Sequence, residues 1–316
     1  MADAAPVREL LCQLSRETAE LLGTRVARLH CPSALEFFPY VARNVPCVIT
    51  GVATQWPAAR LWQSDEYLAG KLGDRLVSIN VTPDGLADAV KHVPEHGTQL
   101  FCLPEERCMT FQAYLELLRS AGDSVAYVSA QNASLTTEFA SLADDVPAAL
   151  EFATTCFGAS PDAVNFWHGD SRSVTSFHAD NYENLYAVLR GEKHFTLLPP
   201  TDVHRLYRCE VPVARHCQSE GGAWHVDLCG GVTTWPTVDP RPRDRRAAAA
   251  LFPRYFDGPP ALEVTLHPGE VLYLPALWAH HVCQADGTVA VNWWHDQRYG
   301  TRYATHRFLE DLERHV

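Results

Sequence analysis

A histidine and an aspartate separated by one residue, His178 and Asp180, form the pattern in this sequence with the clearest chemical use. In a β-strand, residues i and i+2 point to the same face, so an HxD pattern at a strand end directs an imidazole and a carboxylate to one point. A second histidine from a neighbouring strand would complete a facial triad, which leaves metal positions open and suits non-haem Fe(II). The pattern alone is weak, because the chain contains 15 histidines. The alternative is an ordinary polar strand end.

Two adjacent histidines further along the chain, His280 and His281, are candidates for the third ligand. They follow a turn, a buried strand and a proline break in the segment PGEVLYLPALWAHHV, residues 268–282. Adjacent residues of a strand face opposite ways, so only one of the two can join His178 and Asp180. The competing interpretation makes both of them polar residues at the mouth of a barrel.

A lysine, Lys193, begins a short apolar strand at residues 193–198. By alternation, Lys193, Phe195 and Leu197 share one face of that strand. A lysine that faces inward is costly to bury without a paired anion, and a carboxylate of a bound cofactor is a suitable partner. For an isolated lysine, a solvent-facing strand end is the alternative.

Short strands separated by turn signals fill the chain from about residue 124 onward. The turns are marked by pairs such as Pro268-Gly269 and Asp286-Gly287. Many short strands with tight turns indicate a sandwich or barrel, and a jelly roll is the natural closed arrangement. The predicted fold class is mainly β with flanking helices, around a double-stranded β-helix (jelly-roll, cupin-like) core. The predicted strands are 124–130, 163–168, 173–178, 184–190, 193–198, 261–267, 270–274, 279–284 and 288–295.

Helices and one long insert flank this predicted core. Residues 1–123 are expected to form an N-terminal extension of helices and strands that packs on a domain spanning 124–316. An amphipathic helix at 4–22 could pack on the domain or on a second subunit, and it favours a homodimer. Residues 201–260 are too long for a simple connection and are predicted to be an insert on the rim of the barrel. A C-terminal amphipathic helix is expected at 301–316.

The composition is that of an ordinary globular protein, and it excludes some partners. The chain has 316 residues, a net charge of −12 and 47% apolar residues. The acidic balance argues against nucleic-acid binding, and no apolar stretch is long enough to predict a transmembrane helix. Without an export signal, the ten cysteines are expected to be reduced thiols of an intracellular protein, cytoplasmic and in part nuclear. A zinc site from Cys209, Cys217, His225 and Cys229 is conceivable, but their spacing is irregular and loop residues are the favoured interpretation.

Four segments of the sequence contain the candidate ligands and Lys193 or lie close to them in the chain, namely TSFHAD, NYENLYAVLRGEKHF, HPGEVLYLPALWAHHV and VAVNWWHD. Together they resemble the Jumonji-C hydroxylases, and most closely a small lysyl hydroxylase of that family. The resemblance is strongest over residues 124–316, and PCVITG (46–51), WP (56–57), VTPDG (81–85) and PDAVNFW (161–167) extend it toward the N-terminus.

The resemblance implies a role for each of nine residues. His178, Asp180 and His280 are expected to hold Fe(II), with His281 as a neighbour only. Lys193, fifteen positions after the first ligand, and Thr175, three before it, are expected to bind the C5 carboxylate of the co-substrate 2-oxoglutarate, with help from Tyr127. Asn184 and Asn292 match polar residues near the C1 end of 2-oxoglutarate, and Trp294 is expected to line the same chamber.

The activity implied by the resemblance is that of a 2-oxoglutarate-dependent dioxygenase that consumes O2 and hydroxylates a protein. The implied reaction is (3S)-lysyl hydroxylation, and the implied substrates are the developmentally regulated GTP-binding proteins. The alternatives are an endopeptidase that acts on methylated histone tails, a histone demethylase, and a binding module whose metal is only structural. The sequence shows no separate dyad for hydrolysis, and the co-occurrence of the triad with Lys193 and Thr175 disfavours the binding module.

Overall fold

A computed structural model of the chain describes residues 4–120 and 122–314. The strands are β1 (Ala27–His30), β2 (Cys47–Thr50), β3 (Leu76–Thr82), β4 (Leu86–Ala87), β5 (Ala89–Val93), β6 (Thr98–Leu103), β7 (Glu105–Thr110), β8 (Val125–Tyr127), β9 (Ala163–Gly169), β10 (Val174–His178), β11 (Tyr182–Arg190), β12 (Lys193–Leu198), β13 (Cys209–Gln218), β14 (Trp224–Trp235), β15 (Leu262–Leu266), β16 (Val271–Leu274), β17 (Ala279–Gln284) and β18 (Thr288–Asp296). The α-helices are α1 (Ala4–Leu22), α2 (Ala34–Arg43), α3 (Pro57–Leu61), α4 (Asp65–Leu72), α5 (Phe111–Arg119), α6 (Glu151–Phe157), α7 (Arg245–Leu251), α8 (Pro253–Phe256) and α9 (Thr301–Glu313).

Two sheets that face each other form the centre of the fold. One has six strands in the order β1-β2-β16-β11-β18-β9, and the other has five in the order β15-β12-β17-β10-β4. Apolar side chains from both sheets meet between them, with Val188 and Leu272 from the first and Phe195 and Val282 from the second. The predicted fold class, a mainly β jelly-roll core with flanking helices, is confirmed.

The outer face of the six-stranded sheet is covered by the N-terminal part of the chain. Phe37 of α2 packs edge-on against Tyr273 of β16, with ring centroids 5.0 Å apart. Strand β2 also joins the sheet directly, because Val48 pairs with Leu272. The N-terminal elements thus share a sheet with the C-terminal ones, and the division into 1–123 and 124–316 stays a prediction.

The segment 201–260 carries a long hairpin, β13–β14, followed by α7 and α8. Its strand β13 pairs in parallel with β6, so that Val213 lies opposite Phe101. Together with β5 this forms a four-stranded sheet in the order β14-β13-β6-β5. The insert is therefore tied to the N-terminal segment, a long-range pairing that the sequence pattern did not reveal. Of the predicted C-terminal helix 301–316, α9 covers Thr301–Glu313, and residues 315–316 lie outside the described part of the chain.

A turn at Gly85 sets strand β4 beside β10. Gly85 has φ +84°, and a Cβ at this position would lie 1.8 Å from the carbonyl oxygen of Arg172. The Gly85 N–H donates to Thr82 Oγ1 at 2.9 Å. Beyond this turn, Ala87 pairs with Thr175. The close approach requires glycine, and it fixes the strand that leads to His178. Across the described residues, no helix is long and apolar enough to span a membrane.

Candidate metal centre and cofactor chamber

The HxD pattern lies at the end of β10. His178 is the last residue of that strand, and Asp180 follows two positions later. Strand β10 pairs antiparallel with β17, in a register that sets His280 directly opposite His178. The two imidazole centroids are 4.0 Å apart. A single strand pairing thus brings the third candidate ligand to the other two.

The ligand atoms of the three side chains converge on one point. Oδ2 of Asp180 lies 3.9 Å from Nε2 of His178 and 3.7 Å from Nε2 of His280. Nδ1 of His178 donates to the Ser176 carbonyl at 2.9 Å, and Nδ1 of His280 donates to the Trp278 carbonyl at 3.0 Å. Because a carbonyl can only accept, each Nδ1 carries the hydrogen and each Nε2 presents its lone pair to the centre. All three side chains are therefore oriented as metal ligands.

The neighbouring histidine, His281, lies on the outer side of the same strand. Its ring packs against Phe177, with centroids 5.8 Å apart, as the alternation of strand residues requires. Burial is the main cause that lowers the pKa of both His280 and His281 to about 4, so the two residues differ in orientation and not in protonation. His280 therefore stays neutral near pH 7, which is the form of imidazole that binds metals.

The turn before β17 holds both Asp180 and His280. The Leu277 N–H donates to the Asp180 carbonyl at 2.8 Å, and Leu277 has a φ of +70°, which is rare for a leucine. The buried carboxylate of Glu183 accepts from Tyr273 Oη at 2.7 Å and from the Ala276 N–H at 3.2 Å. These bonds fix the turn to the six-stranded sheet, so the ligands are positioned by the backbone of two sheets.

A chamber between the sheets opens onto this centre. All nine residues selected from the sequence line it, and their roles stay predictions. They are Tyr127, Thr175, His178, Asp180, Asn184, Lys193, His280, Asn292 and Trp294. The sequence analysis assigned no role to five further lining residues, which are Gln131, Trp167, Tyr186, Phe195 and Val282. Strand alternation signals three of these, because Tyr186, Phe195 and Val282 each follow a selected residue of the same strand by two positions.

Lys193 is buried in an aromatic cage at the inner end of the chamber. Its side chain is 2% exposed, and its Nζ donates to Tyr127 Oη at 2.7 Å. Nζ also lies 5.2 to 5.9 Å from the ring centroids of Tyr127, Tyr186 and Trp167. Burial lowers the pKa of Lys193 to about 7, because no carboxylate of the described residues pairs with it. The cage therefore favours an anionic ligand.

A row of polar side chains borders the chamber on the six-stranded sheet. Asn292 Nδ2 donates to Asn184 Oδ1 at 3.1 Å, and Asn292 Oδ1 accepts from Trp167 Nε1 at 2.8 Å. The indole of Trp294 stacks on Tyr182 with centroids 4.9 Å apart. Its Nε1 is buried without a hydrogen-bond partner among the described residues. This orphaned donor and the unpaired Lys193 both point to a polar, anionic occupant.

The arrangement agrees with the proteins to which this chain is similar. The family described as "Cupin-like domain" matches residues 33–301. The lysine-specific demethylase JMJ32 of Arabidopsis thaliana is 43% identical over 315 residues, which cover 95% of this chain and 90% of that protein. JmjC domain-containing protein E of Dictyostelium discoideum is 34% identical over 96% of this chain and 93% of that protein. The human bifunctional peptidase and (3S)-lysyl hydroxylase JMJD7 is 38% identical over 89% of this chain and 87% of that protein.

The match to the family covers the triad, the chamber and every strand of the two central sheets except β1. The similarity covers between 89% and 96% of this chain in each of the three relatives. The chain therefore belongs to the cupin-like family of JmjC-domain proteins.

Proposed function

We propose that this protein is an Fe(II)- and 2-oxoglutarate-dependent hydroxylase that acts on a lysine side chain of a protein substrate. One observation carries the proposal, namely a triad of two histidines and a carboxylate at the mouth of a chamber whose inner end holds the unpaired ammonium of Lys193. This donor set and this ammonium are what a metal ion and a chelating dicarboxylate require together.

The residues present fit both groups. His178, Asp180 and His280 would hold Fe(II). Lys193, Thr175 and Tyr127 would hold the C5 carboxylate of 2-oxoglutarate, and Asn184, Asn292 and Trp294 would border its C1 end. When bound, iron and 2-oxoglutarate supply the oxidising power that inserts one atom of O2 into a C–H bond. The protein contributes a fixed coordination geometry and a chamber that excludes water.

A carboxylate beside the triad supports a cationic substrate. Asp88 follows β4, and its backbone carbonyl accepts from Ser176 Oγ at 2.6 Å. Its own carboxylate forms no hydrogen bond or ion pair with any described residue. Burial raises the pKa of Asp88, although the charges of His178 and Arg215 act in the opposite direction. An ammonium group of a substrate would form an ion pair with this carboxylate.

A cavity of about 210 Å³ adjoins His178 on the outside of the triad. One wall is Trp235, whose ring lies parallel to the His178 ring with centroids 6.4 Å apart. Trp235 Nε1 also donates to Ser176 Oγ at 3.1 Å, which links this wall to Asp88. Tyr303 and Glu310 of α9 also line the cavity. We propose that the substrate side chain reaches the metal through this cavity.

Hydroxylation is proposed in preference to two other reactions that the names of relatives suggest. The human relative is named as a (3S)-lysyl hydroxylase and a peptidase, and the Arabidopsis relative is named as a lysine-specific demethylase. Both names refer to lysine. This agrees with Asp88, because its unpaired carboxylate could pair with the ammonium group of a lysine substrate. We propose C3 of a lysine in a developmentally regulated GTP-binding protein as the site, and demethylation as the second candidate because that relative is 43% identical.

The test is intact-mass analysis of peptides after incubation with the purified protein, Fe(II), O2 and 2-oxoglutarate. A lysine peptide is expected to gain the mass of one oxygen atom, and only when 2-oxoglutarate is present. The Asp180→Ala variant is the matched control, because it removes one ligand and leaves Lys193 in place. Unchanged hydroxylation by this variant would show that the assignment of Asp180 as a metal ligand is wrong.

The same assay separates the alternatives. Loss of one methylene from a methylated lysine peptide, with no oxygen gained by the unmethylated peptide, would replace hydroxylation by demethylation. Cleavage of the peptide that persists without 2-oxoglutarate would favour the peptidase.

A further inference from the structure

A second group of metal-ligating side chains lies on the β13–β14 hairpin, away from the triad. Cys217 on β13 pairs directly with His225 on β14, and Asp227 lies two residues beyond His225. Residues i and i+2 of a strand share a face, and directly opposed residues have Cβ atoms about 4.5–5.5 Å apart. The hairpin therefore presents a thiol, an imidazole and a carboxylate side by side.

This group differs from the set of four residues that the sequence made conceivable as a zinc site. Cys209 pairs with Trp235, whereas Cys217 pairs with His225. Eight residues of extended strand separate the two cysteines, which is roughly 26 Å. The four residues that were conceivable as a zinc site therefore do not come together as a set. The favoured interpretation of them as loop residues was wrong, because all four lie on the strands β13 and β14. Asp227 takes a place in the cluster that the cysteine pattern could not indicate.

The ligand atoms of Cys217, His225 and Asp227 all lie within 4.8 Å of one another. Nε2 of His225 is 3.6 Å from Oδ2 of Asp227. In a tetrahedral zinc site, bond lengths of about 2.0–2.3 Å place ligand atoms roughly 3.3–3.8 Å apart. The imidazole–carboxylate pair already has that spacing. A shift of about 1 Å at the thiol would complete the geometry, which a change of side-chain rotamer can supply.

We propose that Cys217, His225 and Asp227 form a second metal site that binds Zn²⁺. Thiolate and imidazole ligands favour zinc over the hard cations Mg²⁺ and Ca²⁺. Three protein ligands leave the fourth tetrahedral position for water. The His225 and Asp227 side chains are 48% and 65% exposed, so both the ion and this water can reach the site from solvent.

Binding exchanges a proton for the metal. Burial and the nearby Asp227 carboxylate raise the pKa of the Cys217 thiol, so the free site holds the thiol in its protonated form. When Zn²⁺ binds, the S–H bond breaks, a Zn–S bond forms, and the proton leaves to solvent. The metal would cross-link β13 to β14, the strand that ends at Trp235 beside the candidate metal centre.

The proposal can be tested with Co²⁺ added to the reduced protein. A cobalt–thiolate bond gives an intense charge-transfer band in the near ultraviolet, and the triad of His178, Asp180 and His280 contains no thiol. We expect this band in the wild-type protein and its loss in Cys217→Ser. The Cys229→Ser variant is the matched control, since Cys229 is an exposed thiol on β14, the other strand of the same hairpin, and it should keep the band.

Zinc content after gel filtration provides a second measurement. When metal-free protein is loaded with Zn²⁺, two equivalents are expected for the wild-type protein, one at each site. One equivalent is expected for Cys217→Ser, which keeps the ion of the triad. Absence of the cobalt–thiolate band at saturating Co²⁺, or an equal band in Cys217→Ser, would overturn the proposal. If Cys217→Ser does not fold, the variant His225→Ala replaces it in the test, because it removes a half-exposed ligand and leaves every thiol in place. It should lose the band as well, and an equal band in His225→Ala would overturn the proposal.

Discussion

His178 and His280 face each other across the β10–β17 ladder, with their ring centroids 4.0 Å apart. His281, one residue further along β17, packs on the opposite side against Phe177. The pairing register alone thus decides which histidine of the pair meets the HxD aspartate.

This register predicts opposite behaviour for two adjacent substitutions. His280→Ala should remove a ligand and lower turnover by more than the roughly 10- to 100-fold that loss of an outer-shell partner costs. His281→Ala should retain most of the turnover. Peptide hydroxylation and bound iron, measured on both variants, check this. Equal losses in the two variants would contradict the assignment of His280.

Removal of the Lys193 charge should weaken 2-oxoglutarate binding. Hydrogen bonds to charged groups contribute about 1.5–3 kcal/mol, so Lys193→Met should raise the Kd of 2-oxoglutarate roughly 10- to 100-fold. Iron content should not change, because Lys193 is not among the ligands. Calorimetric titration of 2-oxoglutarate into the Mn²⁺-loaded protein measures the effect. An unchanged Kd would show that another group binds the far carboxylate.

Binding of 2-oxoglutarate should also depend on pH through Lys193. Its pKa in the free chamber is about 7, and only the protonated form attracts a carboxylate. As the pH rises above 7, Lys193 loses its proton, and binding must restore it. The affinity for 2-oxoglutarate should therefore fall about tenfold per pH unit above pH 7. Below pH 7, Lys193 is protonated and should cause no further change in this affinity.

The pH dependence has its own control in Lys193→Met, which cannot titrate at this position. Titrations of both proteins between neutral and alkaline pH separate the contribution of Lys193 from that of the metal. If the 2-oxoglutarate affinity changed with pH by the same amount in both proteins, Lys193 would not be the cause of the pH dependence.

Asp88→Asn should impair the use of a lysine substrate without affecting the cofactor. Asparagine has the same shape and tolerates the left-handed backbone found here, with φ +51°. It lacks the charge that would pair an ammonium group. We expect a higher KM for the lysine peptide and an unchanged KM for 2-oxoglutarate in steady-state hydroxylation assays. If neither the KM nor the kcat for the lysine peptide changed, the proposed role of Asp88 would be wrong.

Gly85→Ala should destabilise the fold more than the same change at Gly222. Both glycines have almost the same φ, +84° and +83°, so both substitutions incur the left-handed penalty of about 1–2 kcal/mol. A Cβ at Gly85 would also meet the Arg172 carbonyl, whereas nothing lies within 4 Å of a Cβ at Gly222. Thermal unfolding should give a clearly lower Tm for Gly85→Ala than for Gly222→Ala. Equal Tm values would mean that the backbone near Gly85 can move away from the added Cβ at little cost in stability.

Much of the fold and the site could be predicted because they depend on local periodicity. Alternation along β11 and β12 indicates which side chains share a face, and the family resemblance then assigned Asn184 and Lys193 to the interior. The motifs HxD and HH, the turn at Pro268-Gly269 and the strand-rich second half are likewise properties of short segments. Family resemblance then supplied the order in which these segments meet.

The remaining features depend on contacts between distant parts of the chain, which no local pattern encodes. The sequence by itself determined the ligand types, the strands that carry them and the residues that share a strand face with Lys193, whereas the structure showed that this face points inward. Only the tertiary structure decided that β10 and β17 pair with His178 opposite His280, that Asp88 stays unpaired beside them, and that the insert hairpin joins β6. It also placed Asp227, rather than Cys209 or Cys229, beside Cys217. Strand register and sheet order are set by packing across the whole molecule, and a shift of one residue would turn each side chain to the other face.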